Sequence, residues 1–278
     1  MTTTHTEATT ADRTRQVVVL AGAALAIAGA AWGSGAFGGT PIEDAAGGAL
    51  AADATLLAPA SAAFGIWSVI YVGLAAFAVV QALPSRANDE RMRAVAWPLL
   101  TSMVLNAAWI ATVQANALWA SVLVIAALVA TLGLVVRRLV AIARTSLLDA
   151  VVTDVTTGLY LGWASVATAA NVAAWGGAML DASPGDGTAW AVAVLVAVSV
   201  IAVLSARATR FAPWVCVPLG LAMAWGLGWI AYGRAEGEPQ SLAIMWAAGL
   251  AACVAFAAPF ASQDFRSDRR LASADDSR

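Results

Sequence analysis

Tryptophan, tyrosine and asparagine recur together in three apolar stretches, and their types and spacing could support ligand chemistry. These stretches are "APASAAFGIWSVIY" (Ala58–Tyr71), "LNAAWI" (Leu105–Ile110) and "YLGWASVATAANVAAW" (Tyr160–Trp175). In the third, Trp163, Ala167 and Asn171 are spaced i, i+4 and i+8 and share a helix face about 12 Å long. Indole rings stack on flat apolar molecules, and amides and phenols hydrogen-bond their polar edges. The pattern therefore indicates either a ligand pocket or, for the asparagines, hydrogen bonds between helices.

The elements that position these residues are membrane helices. The chain has 278 residues, of which 61% are hydrophobic and 12% charged, whereas soluble domains are about 25% charged. Apolar stretches of about 20 residues are long enough to cross a bilayer as helices. We predict an all-α integral membrane protein with about eight transmembrane helices, near residues 17–37, 62–83, 95–114, 117–136, 157–180, 188–205, 212–232 and 241–260.

The arginines predict how these helices are oriented. If the N-terminus is cytoplasmic, all 15 basic residues except Arg234 fall on the cytoplasmic side. This is the distribution that the positive-inside rule requires. We therefore expect a multi-pass protein of the inner (cytoplasmic) membrane, in contact with the lipid bilayer and with both termini in the cytoplasm. The net charge of −2 gives no indication of nucleic-acid binding.

Composition also divides the chain into segments. Residues 1–16 are polar and threonine-rich and predict a disordered tail. The turn "DASPGDG" (residues 181–187) separates a five-helix membrane unit, residues 17–180, from three additional helices in residues 188–260. Residues 261–278 are charged and predict a second disordered tail, on the cytoplasmic side.

Several kinds of chemistry are excluded by what the sequence lacks. There is no lysine for a retinal Schiff base, and His5 is the one histidine, so histidine-ligated haem and histidine metal sites are not expected. No charged residue falls in the middle of a predicted span, which argues against an ion-coupled carrier. Cys216 and Cys253 lie in predicted spans and are interpreted as small apolar residues. We predict no catalytic residues and no metal ligands.

The same three stretches resemble the TspO/MBR family, the tryptophan-rich sensory and translocator proteins. The second family helix carries a Pro, a Trp and a Tyr four residues later, and the third carries Leu-Asn followed by Trp. The fifth reads Tyr-Leu-x-Trp, then Ala and Asn. The matching residues are Pro59, Trp67, Tyr71, Leu105, Asn106, Trp109, Tyr160, Leu161, Trp163, Ala167 and Asn171. The resemblance covers about residues 17–180, which corresponds to the family's five-helix bundle.

The resemblance implies a function as well as a fold. TspO-like proteins bind porphyrins and sterols between their helices, beneath the loop that joins helices 1 and 2. By this resemblance the ligand-binding residues are Trp67, Tyr71, Asn106, Trp109, Trp163, Ala167 and Asn171. A tetrapyrrole-like hydrophobic ligand bound for sensing or transport is expected, with no resident cofactor. The family's tryptophan-rich loop is replaced here by an alanine- and glycine-rich one, and its cholesterol-recognition pattern is absent.

Other interpretations remain open at this point. The chain could be a transporter or channel subunit for an uncharged small solute, or an enzyme that degrades porphyrins in light. Small residues crowd the helices and would permit a homodimer, although the alanine bias of the whole chain explains them too. An interfacial aromatic belt accounts for Trp190, Trp214 and Trp246.

Overall fold

A computed structural model describes residues 8–35, 37–144, 146–181, 183 and 185–262. These residues form eight long helices and no strand. The helices are α1 (Thr10–Gly33), α2 (Ile66–Ala82), α3 (Glu90–Gln114), α4 (Leu118–Ala141), α5 (Thr156–Leu180), α6 (Thr188–Ala208), α7 (Pro213–Glu236) and α8 (Leu242–Ser262). All except α5 are both long and apolar enough to cross a membrane, α2 when it is taken together with the helical turn Ser61–Gly65 that precedes it. The prediction of an all-α membrane protein is therefore confirmed.

Helix α5 differs from the others because it lies at the centre of the bundle. It has 25 residues, about 37 Å of helix, and it contacts α2, α4, α6 and α7. Thr156, Thr157 and Asn171 lower its hydropathy, and all three are buried in the protein. A polar side chain in a bilayer must find a protein partner, so the less apolar helix occupies the position with the most helix neighbours.

Helix α7 approaches α5 backbone to backbone at two glycines of α5. A Cβ added to Gly158 would lie 2.5 Å from the carbonyl oxygen of Val215, and one added to Gly162 would overlap the carbonyl oxygen of Leu219. Small residues of this kind let membrane helices pack at short distance. Helices α6–α8 thus join the first five helices in one bundle rather than forming a separate body.

Helix α1 begins at Thr10, so the predicted tail over residues 1–16 is wrong for its last seven residues. Thr9 and Asp12 form a reciprocal capping box, which satisfies backbone N–H groups at the helix start. Arg15 then donates to the carbonyl of Ala87 at 2.9 Å, and Gln16 is buried. These polar contacts add turns to the helix that hydropathy alone does not indicate. The second predicted tail, residues 261–278, is wrong for residues 261 and 262, which end α8. Residues 1–7 and 263–278 lie outside the described residues.

One end of the bundle, called here the arginine-rich end, is held by ion pairs. Arg91 pairs with Asp154 at 2.5 Å, with both side chains 4% exposed, and Arg93 bonds both carboxylate oxygens of Asp12 at 2.6 Å. Burial raises the pKa of Asp154, and the guanidinium of Arg91 opposes that rise. These arginines therefore fix neighbouring segments to one another, a role that the sequence analysis did not assign to them.

The opposite end is covered by the loop between α1 and α2, residues 34–60, called here the α1–α2 loop. Residues 42–50 of the loop bury Ile42, Ala45 and Leu50 in a core formed mainly by α1–α5. The loop also buries Leu56 and Leu57 in the core that α5–α8 form. The loop thus bridges both parts of the bundle.

Candidate functional site: an aromatic cavity beneath the α1–α2 loop

An aromatic cluster joins α2 and α5 near the centre of the bundle. The ring of Trp67 stacks on Tyr71 with a centroid distance of 5.4 Å and an interplanar angle of 19°. It meets Trp163 edge-on at 6.2 Å and Tyr160 at 5.8 Å, and Phe64 meets Trp163 edge-on at 5.8 Å. Stacked and edge-on pairs of aromatic rings at these distances are favourable. The contacts between the rings therefore hold each ring of the cluster in place.

A cavity, called here the inner cavity, lies between this cluster and the α1–α2 loop. Five of the seven predicted ligand-binding residues line it: Trp67, Asn106, Trp109, Trp163 and Ala167. Leu50, Thr55, Ala58 and Pro59 close it from the loop side. Its volume is about 30 Å³, enough for two or three water molecules, since each needs about 10–15 Å³ measured in this way. The described conformation is therefore closed.

Three buried polar atoms of the lining residues have no hydrogen-bond partner among the described residues. They are Nε1 of Trp163, Oδ1 of Asn106 and Oγ1 of Thr55, and Trp163 and Asn106 are each 1% exposed. The Nδ2 of Asn106 donates to the Tyr71 hydroxyl at 2.8 Å, so the amide is held in place while its oxygen stays unused. Buried polar groups are normally paired. The lining of the inner cavity thus includes an unpaired donor, an unpaired acceptor and a threonine hydroxyl that can act as either, among apolar side chains.

Asn171 is predicted to contact ligand, but the structure places it behind the cavity wall. The indole Nε1 of Trp109 donates to Asn171 Oδ1 at 2.9 Å, and Asn171 Nδ2 donates to Ser121 Oγ at 2.8 Å. The Ser121 hydroxyl donates to the carbonyl of Leu118 at 2.7 Å. Asn171 is fully buried and satisfied by these contacts. Asn171 therefore fixes the ring of Trp109 and links α5 to α3 and α4. This is the alternative role, hydrogen bonding between helices, that the sequence left open for the asparagines.

Tyr71 lines a neighbouring cavity instead, called here the side cavity. This cavity has a volume of about 330 Å³ and lies between α1, α2, α3 and the α1–α2 loop. Phe64, Trp67 and Trp109 line both cavities. These three rings therefore form the partition between them.

The α1–α2 loop is held over the inner cavity by α7. Arg234, 1% exposed, donates to the carbonyls of Ala52 and Thr55, the latter at 2.9 Å, and to that of Glu238 at 3.0 Å. The amide of Ala60 donates to the carbonyl of Trp229 at 3.2 Å. Arg234 is the exception to the charge pattern of the sequence, and its role as a loop anchor was not predicted.

Some of the lining could not be found from the sequence. Leu50, Ile125 and Leu128 are ordinary apolar residues in apolar segments, and nothing in their spacing marks them as cavity residues. Phe64 was visible in the first aromatic stretch, five residues after Pro59. Its edge-on contact with Trp163 depends on the helical turn Ser61–Gly65 before α2. The predicted span near residues 62–83 includes most of this turn, but not its tighter 3₁₀ geometry.

No group of metal-binding side chains occurs in the described part of the chain. Cys216 is buried and Cys253 exposed, and neither forms a disulfide. Of the tryptophans assigned to an interfacial belt, Trp190 and Trp246 have more than half of their surface exposed. Trp214 is half-buried and lies 5.4 Å from the guanidinium carbon of Arg144.

Comparison with known proteins places this architecture in a family. The model of a family described as TSPO-like protein matches residues 16–261. No curated protein and no solved structure matches the chain. The family match extends beyond residue 180, where the sequence analysis ended the resemblance, and includes α6–α8. Because the match covers the eight helices almost end to end, the chain belongs to the TSPO-like protein family.

Proposed function

We propose that this membrane protein binds a flat, largely apolar ligand in the inner cavity, for sensing or transport. The observation that carries the proposal is the presence of unpaired buried polar atoms, among them Trp163 Nε1 and Asn106 Oδ1, in a largely apolar, tryptophan-rich lining. A ligand that accepts from the first and donates to the second would satisfy both. Tetrapyrroles combine a flat apolar ring with such donors and acceptors, and the family resemblance implies the same class.

Binding requires the α1–α2 loop to move. The closed cavity of about 30 Å³ has no room for a ring system, and ligand sites are usually 300–1,000 Å³ in volume. Leu50, Thr55, Ala58 and Pro59 belong to the loop, so its displacement would enlarge the cavity directly. Displacement would also break the contacts of Arg234, which couples ligand binding to α7.

The proposed orientation places the arginine-rich end in the cytoplasm, following the positive-inside rule. The α1–α2 loop and the cavity beneath it would then face the outer side of the inner membrane. We also propose that the site binds without catalysing a reaction. Among the described residues that line the inner cavity, none is an ionisable acid or base, and acid–base catalysis needs such a group.

The direct test is a titration followed by intrinsic tryptophan fluorescence. Purified protein in an uncharged detergent is titrated with protoporphyrin IX and, separately, with its dimethyl ester. We expect saturable quenching in the wild type. In the Trp67→Phe/Trp163→Phe variant the affinity should fall by at least about tenfold, because one stacking indole and the Trp163 donor are lost.

The matched control is Trp190→Phe/Trp246→Phe, which removes two exposed indoles of the same kind. It should lower the total fluorescence but leave the affinity unchanged. Equal, non-saturating quenching in all three proteins would mean that the inner cavity does not bind tetrapyrroles.

A further inference from the structure

An apolar groove, called here the α2–α7 groove, lies open on the outer surface of the bundle between α2 and α7. It has a volume of about 550 Å³, and Leu159 of α5 forms its floor. Val69 of α2 and Leu221 and Trp225 of α7 line its walls and expose between 41% and 58% of their surface. The indole of Trp225 donates to the carbonyl of Ala63 at 2.9 Å, which joins the two walls. Since both helices are long and apolar enough to span a membrane, the groove faces lipid.

The groove continues toward the arginine-rich end as an exposed apolar strip. Leu221 and Trp225 follow Trp214 by seven and eleven residues, so the three share a face of α7 about 16 Å long. Beside them, the helical segment Ala150–Val155 contacts both α2 and α7, and its Val151 is 49% exposed. The hydrocarbon of one leaflet is about 15 Å thick, half of the bilayer core. A lipid tail that begins beside Trp214 therefore extends into the α2–α7 groove.

Arginines stand where this strip begins. The guanidinium carbon of Arg144 lies 5.4 Å from the ring centre of Trp214, and Arg210 is in the turn that leads to the same tryptophan. Both arginines are exposed. Residues 137–148 and 205–216, which include the ends of α4 and α6 and the start of α7, carry five arginines and no carboxylate. Because helix ends mark the membrane surface, this positive charge lies at the level of the lipid headgroups.

The neighbouring carboxylates do not neutralise these arginines. Asp149 pairs with Arg86 at 2.9 Å, and Asp154 pairs with Arg91 at 2.5 Å. Within the described part of the chain, neither of the two exposed arginines beside Trp214 forms an ion pair with a carboxylate. Their charge therefore stays available to an anion at the membrane surface.

We propose that this face binds one anionic phospholipid from the leaflet at the arginine-rich end. Its phosphate lies against Arg144, and one acyl chain runs past Val151 into the α2–α7 groove. A guanidinium matches the geometry of a phosphate group and can bind two of its oxygens at once. The charge thus selects the headgroup, while the groove requires a tail that a soluble anion lacks. This inference does not depend on the ligand proposed for the inner cavity.

The test is native mass spectrometry of protein released from detergent micelles, titrated with phosphatidylglycerol or phosphatidylcholine of identical acyl chains. We expect the wild type to bind its first phosphatidylglycerol at least about fivefold more tightly than its first phosphatidylcholine, the effect of one arginine near a lipid surface. This preference should fall by about fivefold in Arg144→Gln and be largely kept in Arg144→Lys. The matched control is Arg13→Gln, which removes an exposed arginine of α1 at the same end of the bundle and should keep the preference.

A second variant, Val69→Phe, tests the tail. Val69 is 58% exposed, so the larger ring enters the groove without disturbing the core. The affinities for both lipids should fall together and leave their ratio unchanged, because both lipids carry the same tails.

Three results would overturn the proposal. If Arg144→Gln and Arg13→Gln show the same preference as each other, the phosphate is not held by Arg144. If Val69→Phe leaves both affinities unchanged, no tail occupies the groove. A dimer that persists without lipid and dissociates in Val69→Phe would mean that a second copy of the chain covers the groove instead.

Discussion

Replacing Gly162 by leucine is expected to prevent assembly of the bundle. A Cβ at this position would overlap the carbonyl oxygen of Leu219 and lie 2.9 Å from the Cβ of Ala222. Backbone atoms of α7 cannot yield as a flexible side chain could, so α5 and α7 must separate. We expect a loss of more than about 3 kcal/mol in the free energy of unfolding, at the upper end of overpacking effects.

The measurement is the fraction of protein that stays monodisperse in size-exclusion chromatography after heating. Gly176→Leu is the matched control on the same helix, because a Cβ there meets nothing within 4 Å. The control should behave like the wild type. An unchanged heating profile for Gly162→Leu would contradict the close packing of α5 on α7.

Replacing Arg234 by methionine is expected to release the α1–α2 loop while leaving the helices folded. The substitution removes the donors to the carbonyls of Ala52, Thr55 and Glu238. Hydrogen bonds from charged donors contribute about 1.5–3 kcal/mol each, so the free energy of loop opening should fall by at least about 2 kcal/mol. Amide exchange in residues 49–60 should then accelerate by about 30-fold.

Hydrogen exchange with mass spectrometry provides this measurement. Arg207→Met, at an exposed arginine in the last turn of α6, should leave exchange in the loop unchanged. Arg234→Lys should fall between wild type and methionine, since one ammonium cannot reproduce the guanidinium fork. Wild-type exchange in Arg234→Met would mean that other contacts hold the loop.

Much of the fold could be predicted, because the hydropathy of the sequence and the spacing of its apolar residues indicate most of the helices. Seven of the eight predicted spans match helices that are apolar enough to cross a membrane, and the eighth exists as the buried α5. The start of α1 was misplaced because its first turns are stabilised by polar contacts, such as that of Arg15 with Ala87. Such contacts depend on segments about 70 residues apart, which local periodicity does not register.

Much of the candidate site could also be predicted, because the types of its residues mark it in the sequence. The aromatic and amide residues stand out by type, and most of them meet at the inner cavity. The sequence could not distinguish the lining residue Asn106 from Asn171, since both are amides on apolar helices. Only the packing of three helices directs Asn171 to Trp109 and Ser121. Arg234 was missed because its partners are backbone carbonyls, which leave no signature in side-chain types.

We expect ligand to reach the inner cavity only when the α1–α2 loop moves away from α7. The most direct measurement locks that loop with a disulfide. A Cβ added to Gly233 lies 3.7 Å from the Cβ of Ala60, within the range of disulfide-bonded cysteines. The variant is Ala60→Cys/Gly233→Cys, made in a background where Cys216 and Cys253 are replaced by alanine.

Binding of protoporphyrin IX dimethyl ester is then followed in the oxidised protein and again after reduction with dithiothreitol. The account predicts that oxidation slows association by at least about tenfold, because the open state is removed, and that reduction restores the wild-type rate. Single-cysteine variants should not respond to either treatment. Equal rates and affinities in the oxidised and reduced double variant would contradict the claim, because ligand would then bind without opening of the α1–α2 loop.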